Sequence, residues 1–260
     1  MQARSHETSG NLALKIEMAA KALILLGAGD ATGGAVAKRF AREGFTACIA
    51  RRSVEKLEPL VKEIEANGGK ARAFGTDACQ EDQVKDMFRV VEEEVGPIEA
   101  CVFNVGRMTK LGPINELSSD DFRKTWESSC FSGFLTGREA ALYMKKRGRG
   151  TILFTGATAS MRGGSGFSAF AAAKFGLRAL SQSMARELGP QGVHVAHVII
   201  DGVIATESFQ QRNPDMYTKK KAEDSLLNPE DIAEAYWQLH VQKRSAWTQE
   251  LDLRPWMEKF

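Results

Sequence analysis

Four glycines head the residues whose types and spacing point to chemistry. In the stretch LLGAGDATGGAVAKRF, Gly27, Gly29, Gly33 and Gly34 separate a short apolar run from a helical pattern. Glycine at such a turn permits a tight bend, lets backbone approach a pyrophosphate, and lets the helix pack closely on its strand. The unpaired N–H groups that open the helix then offer donors and a positive dipole end to an anion. On this reading Gly27, Gly29, Asp30, Ala31, Thr32 and Gly33 form a dinucleotide-phosphate loop. A glycine cluster alone is a weak sign. A strand before it, a helix behind it and further strand–helix units after it make it specific.

The end of the second apolar run bears on which dinucleotide would bind. An NAD site places a carboxylate there to accept from the ribose hydroxyls. Here the chain reads Ala50-Arg51-Arg52-Ser53. Guanidinium forks suit a 2′-phosphate, which a carboxylate would repel. Arg51 and Arg52 therefore favour NADP(H) over NAD(H); the plain alternative is two solvated arginines on a loop. Lys174 stands out in the apolar helical stretch FAAAKFGLRAL. Either it extends its ammonium to solvent, or it is desolvated, with a lowered pKa that suits a base or Schiff-base nucleophile.

These groups need elements to position them, and the chain supplies strands and helices in alternation. ALILLG reads as a first, doubly buried strand and GGAVAKRFAREG as a helix stopping at Gly44. FTACIA is a second strand, and Ser53 is placed to cap the helix through VEKLEPLVKEIEA. KARAFG, EACVFN, TILFTG and GVHVAHVII continue the series, with helical patterns over 81–95, 118–147 and 167–188 between them. The stretch 118–147 has an irregular Ser/Gly middle. After Gly202 the periodicity lapses into a polar, lid-like substrate loop near 203–228, then a helix from Asp231 and a last strand near Ala246–Leu251. The expectation is an α/β, doubly wound (Rossmann-type) seven-stranded parallel sheet with helices on both faces, one domain over 18–260. Ligands of such sheets bind beyond the carboxyl ends of the strands, where strand order reverses.

Composition excludes several other classes. The 260 residues carry 35 Lys plus Arg against 33 Asp plus Glu, a formal charge of +2, so no basic excess marks a nucleic-acid or membrane-surface binder. No apolar run approaches the ~20 residues of a bilayer span. Cys48, Cys79, Cys101 and Cys130 are far apart, with no C-x-x-C pair and no metal-ligand spacing, as expected of structural thiols in a reducing cytoplasm. Residues 1–17 are polar and lack a signal-peptide core, which reads as a loosely ordered extension.

Over about residues 20 to 252 the chain resembles the short-chain dehydrogenase/reductase family. That family's glycine signature is T-G-x-x-x-G-x-G; matched from Gly27, its middle glycine falls on Ala31 and its last on Gly33. The resemblance implies that Asp77, after the third strand, contacts adenine. It also implies that Asn104 and Gly106 of FNVG stand for the family's N-N-A-G, and that Asp201-Gly202 stands for Pro-Gly, with Gly202 beside the cofactor. The family's chemistry uses a tyrosine as acid/base and a lysine one helical turn later that binds the nicotinamide ribose. A serine thirteen residues before the tyrosine polarises the carbonyl, and an asparagine on the preceding long helix holds a relay water. In this chain those positions are Phe170, Lys174, Ala157 and Cys130. Lysine survives and the other three groups are gone.

Phenylalanine has no exchangeable proton and cannot act as an acid at any pH. A positioned acid typically contributes about 10²–10⁴-fold, and an oxyanion donor about 10²–10³-fold. Candidate replacements are Tyr217 in the lid, Thr155, Thr158 and Ser168. His197 is a further polar group, in either a structural or a pocket-facing role. Three functions stay open: an atypical NADP(H)-dependent oxidoreductase of a small carbonyl or alcohol, an NADP(H)-binding protein without dehydrogenase activity, and a non-redox lyase or isomerase using Lys174. The resemblance also implies a homodimer or homotetramer through the 167–188 helix and the long helix before it.

Overall fold

The computed structural model describes residues 21–106 and 111–259. Its sheet contains β1 (Lys21–Leu26), β2 (Phe45–Arg51), β3 (Lys70–Gly75), β4 (Ile98–Phe103), β5 (Thr151–Thr155), β6 (His194–Ile200) and β7 (Glu250–Leu253). The strand order is β3-β2-β1-β4-β5-β6-β7, parallel throughout. The order reverses between β1 and β4, which opens a crevice at their carboxyl ends. The seven-stranded doubly wound sheet expected from the sequence is the observed one.

Alternate residues of β1 feed two cores, because side chains of a strand point to opposite faces. Leu23 and Leu25 join Val36, Phe40, Ile49, Tyr236 and Leu239 beneath α1 (Thr32–Arg42) and α9 (Pro229–His240). Ile24 and Leu26 join Phe88, Phe103, Phe154 and Leu177 beneath α3 (Glu81–Val90), α5 (Ser132–Arg147) and α6 (Ser168–Leu188). Phe40, Phe103 and Phe154 are fully buried, each contributing roughly 1.5–3 kcal/mol of transfer free energy. The continuous apolar strands are thus explained by cover on both faces.

Four local expectations change. Ser53 makes no side-chain cap; a 3₁₀ turn, Val54–Leu57, precedes α2 (Glu58–Ala66), so its hydroxyl stands a turn too early. The irregular middle of 118–147 is a π-helical turn, Glu127–Phe131, joining α4 (Ser119–Trp126) to α5. The polar segment after Gly202 is largely helical, as α7 (Glu207–Arg212) and α8 (Pro214–Ala222), where Thr206 caps α7 and Pro214 opens α8. Neither helix buries a residue, which is why apolar periodicity did not reveal them. The last strand starts at Glu250, because a 3₁₀ turn occupies Arg244–Ala246. The extension over 1–17 lies outside the described residues.

Candidate functional site

The crevice at the carboxyl ends of β1 to β4 is a cleft of about 860 Å³, within the size range of small-molecule and cofactor sites. Its floor is the glycine turn. Gly27 has φ +88°, and a Cβ there would lie 2.6 Å from the Asn104 backbone. Asn104 returns the contact, donating from Nδ2 to the Gly27 carbonyl at 3.0 Å. A Cβ on Gly33 would stand 2.6 Å from the Gly27 oxygen, whereas one on Gly29 would meet open space. Two glycines are therefore required by packing, and the third leaves backbone exposed to a ligand.

The start of α1 is chemically unfinished. Ala31 occupies its N-cap and supplies no side-chain acceptor. Thr32 is buried, and its Oγ1 has no hydrogen-bond partner. Free N–H groups, an orphaned hydroxyl and an open glycine fit a dinucleotide pyrophosphate.

Cations gather at the β2 end. Arg51, Arg52 and Lys56 line the cleft, with Ser53 between them. Among the described residues, no ion pair or hydrogen bond engages either guanidinium or the Lys56 ammonium. Asp77 faces the same space; its Oδ1 accepts from the Cys79 N–H at 3.0 Å and its own N–H donates to Gln83 at 2.8 Å. Burial pushes the Cys79 thiol up to about 11, so it is not a thiolate near neutrality. Asn104 and Gly106 complete the wall expected from the sequence. Lys56, Cys79, Gln80, Lys124, Glu127 and Ser128 also line it and were not anticipated. For Lys56 the signal was present: it lies one turn beyond Arg52, on the element that follows.

The second half of the site surrounds Lys174. That side chain is 4% exposed, and its Nζ donates to the Thr155 carbonyl at 2.8 Å. Desolvation lowers its pKa to about 8. Gly106 makes room for it, since a Cβ there would lie 3.1 Å from Nζ. The half-buried Phe170, one turn earlier on α6, places its ring centre 5.8 Å from Nζ. Cys130 sits in the π-helical turn, against Gly176 of α6.

Hydroxyls around Ala157 are committed elsewhere. Thr155 Oγ1 is 2.7 Å from the Tyr236 hydroxyl. Thr158 donates to Asp201 at 2.5 Å, and Asp201 lies 3.5 Å from Arg162 and 3.6 Å from Arg254. The Ala157 N–H donates to Ser160 Oγ at 3.1 Å, and that oxygen is 3.3 Å from His197 Nε2. Glu250 faces the other ring nitrogen at 3.5 Å and is gripped by Arg178 at 2.6 and 2.7 Å. Burial holds His197 neutral, with its pKa near 4. Ser168 Oγ is buried without a partner, but two residues along a helix puts it across from Phe170. Tyr217 of α8 packs on Phe209, with Lys221 beside its ring. Gly202, at φ +153°, lies against Pro255. No His/Cys/Asp/Glu cluster suited to a metal occurs among the described residues.

The short chain dehydrogenase family model matches residues 21–217. A crystal structure of a short-chain dehydrogenase from Rhodopseudomonas palustris is similar, with a TM-score of 0.78 and 47% identity, covering 91% of this chain and 99% of that one. A short-chain dehydrogenase/reductase of Hericium erinaceus is 34% identical over 228 residues, 83% of this chain and 89% of the relative. A metagenomic short-chain oxidoreductase, solved in complex with NADP, is 25% identical with a TM-score of 0.76, covering 90% and 97%.

Proposed function

The chain belongs to the short-chain dehydrogenase family, and from that premise we propose that it is an atypical NADP(H)-dependent oxidoreductase acting on a small molecule. The observation that carries the cofactor choice is a group of cations without a partner among the described residues, Arg51, Arg52 and Lys56, in the cleft beside the glycine turn. Carboxylate ion pairs hold many other arginines of this chain; cations left unpaired inside a cleft are suited to an anionic ligand. The metagenomic relative bound to NADP is in keeping with this choice.

Gly27 to Gly33 and the start of α1 would hold the pyrophosphate, Arg51, Arg52 and Lys56 the 2′-phosphate, and Asp77 the adenine side. Asn104 fixes the glycine turn, while Gly106, Lys174 and Gly202 would border the nicotinamide half. The bound nicotinamide would supply or accept a hydride. Lys174 would hold ribose hydroxyls with the N–H groups that Thr155 leaves free. Phe170, Ala157 and Cys130 supply no oxygen acid there, so ordinary carbonyl reduction is expected to be slow by a factor of about 10²–10⁴.

One experiment tests the reading. NADPH, NADP, NADH and NAD are titrated against intrinsic fluorescence with wild type and Arg51→Ala. The expected result is preferential binding of the phosphorylated pair, lost by at least tenfold in the variant. Equal binding of all four would overturn the choice. The committed hydroxyls of Thr155, Thr158 and Ser160 favour a second reading, a cofactor-binding protein without turnover. A substrate turned over above about 1 s⁻¹, an ordinary enzyme rate, would eliminate it.

A further inference from the structure

The supply of protons around Phe170 limits what kind of substrate the site can reduce. When a hydride adds to a carbonyl carbon, the π pair moves to oxygen and leaves an alkoxide, which needs a donor during the reaction. The side chains at positions 157, 170 and 130 are methyl, phenyl and thiol. Burial raises the Cys130 pKa further, which weakens it as an acid. The hydroxyls of Thr155, Thr158 and Ser160 serve Tyr236, Asp201 and His197. The Ala157 N–H, a possible oxyanion donor, serves Ser160. Ser168 lies two residues before Phe170 on α6, about 200° around the helix from it. Among the described residues, the groups at and beside positions 157, 170 and 130 therefore offer no uncommitted oxyanion donor.

Resting on the functional reading above, we infer that the hydride acceptor is a C=N⁺ group, an iminium formed before binding, rather than a carbonyl. Hydride from a reduced nicotinamide adds to the iminium carbon, the C=N π pair moves to nitrogen, and a neutral amine results. The nicotinamide is oxidised and the iminium reduced, with no proton transferred. The same surroundings that fail an oxyanion suit a cation: Phe170 offers a half-buried aromatic face, and such faces attract cations within about 6 Å. Lys174 already places its ammonium 5.8 Å from that ring.

Lys174 is the neighbouring positive charge, and it can be discharged. Its pKa of about 8 falls further beside a second cation, and its Thr155 contact needs one N–H, which the neutral amine retains. The titratable group facing it from another element, His197 on β6, is already neutral. A fixed-charge iminium should therefore react faster as pH rises toward 8. A carbonyl protonated by Lys174 would react more slowly over the same interval.

The probes are N-methyl-3,4-dihydroisoquinolinium, whose charge does not titrate, and 1-tetralone, a neutral ketone of similar skeleton. NADPH binding is measured first by fluorescence; its absence would overturn the functional reading and this proposal with it. With NADPH binding shown, calorimetry on the complex with 1,4,5,6-tetrahydro-NADP, whose uncharged ring transfers no hydride, reads binding of each probe without turnover, and NADPH oxidation reads reaction. Expected are saturable binding of the iminium at least about tenfold tighter than the ketone, and oxidation at least about 10²-fold faster. Phe170→Tyr, which restores an acid, should raise the ketone-to-iminium rate ratio at least tenfold. Three results would each overturn the proposal while leaving the cofactor reading intact. These are no saturable iminium binding, ketone reduction as fast as iminium reduction, or a ketone rate that is substantial and falls through about pH 8.

Discussion

At the scale of single residues, the site divides into groups that sequence spacing could reveal and groups it could not. Gly27, Arg51 and Lys174 are legible because a strand end and a helix turn fix their surroundings locally. Ser160, His197 and Glu250 are not, because the first pair is separated by 37 residues and the second meets only through the register of β6 against β7. Lys56 tests the local part: Lys56→Ala should weaken NADPH about three- to tenfold and leave NADH unchanged in the same fluorescence titration. Equal losses for both would place it outside the phosphate site. The buried histidines test the distant part. Burial lowers His197 and His240 from 6.5 to about 4. Protons then bind the unfolded chain preferentially, so stability is intact above pH 6.5 and falls as pH drops from 6.5 toward 4. Each histidine accounts for on the order of 3 kcal/mol by the lower limit. Urea midpoints between pH 8 and 4.5 read this, and His240→Phe, which suits the ring cluster of Phe40, Phe45 and Trp237, should flatten the slope. An unchanged slope would mean that His240 titrates normally.

At the scale of elements, strand–helix alternation was legible because the five inner strands are covered on both faces and the helices that pack on them have an apolar side. Elements without that imprint were not. Helices α7 and α8 bury nothing, and the π-helical turn differs from α-helix by one residue, which a 3.6-residue period does not resolve. The glycine turn is the element on which the cofactor reading depends most directly. Gly27 needs a positive φ and has no space for Cβ beside Asn104. Gly27→Ala should therefore shift the turn, costing about 1–3 kcal/mol of stability, and should weaken NADPH by at least tenfold. Thermal unfolding and titration of one sample measure both. Wild-type affinity in a destabilised variant would show that the turn does not set the phosphate site. Gly29→Ala is the matched control for packing: its Cβ meets nothing, so stability should hold while a bound pyrophosphate is crowded.

At the scale of the whole molecule, the charge balance hides an uneven surface. The π-helical turn brings Trp126, Phe131 and Phe134 into one stack, with centroids 6.0 and 6.1 Å apart and planes inclined by 21° and 28°. Trp126 and Phe134 are 39% and 38% exposed, Leu142 further along α5 is 45% exposed, and Phe175 on neighbouring α6 is 41% exposed. A group of exposed apolar side chains of this kind is suited to an association surface. Its placement on 119–147 and 168–188 matches the helix pair through which the family resemblance implies dimers and tetramers. A two-fold axis across α5 would set each stack against its copy, and a stable contact needs about 1,000 Å² or more of buried surface. Light scattering coupled to size exclusion should find a dimer or tetramer at micromolar concentration. Phe134→Glu with Leu142→Glu should shift it to monomer, because two exposed apolar side chains are replaced by carboxylates that face their own copies across the axis. Both side chains are exposed and neither lines the cleft, so the separated chain should still bind NADPH within about threefold. A wild-type monomer, or an unaltered oligomer in the double variant, would place association on another face.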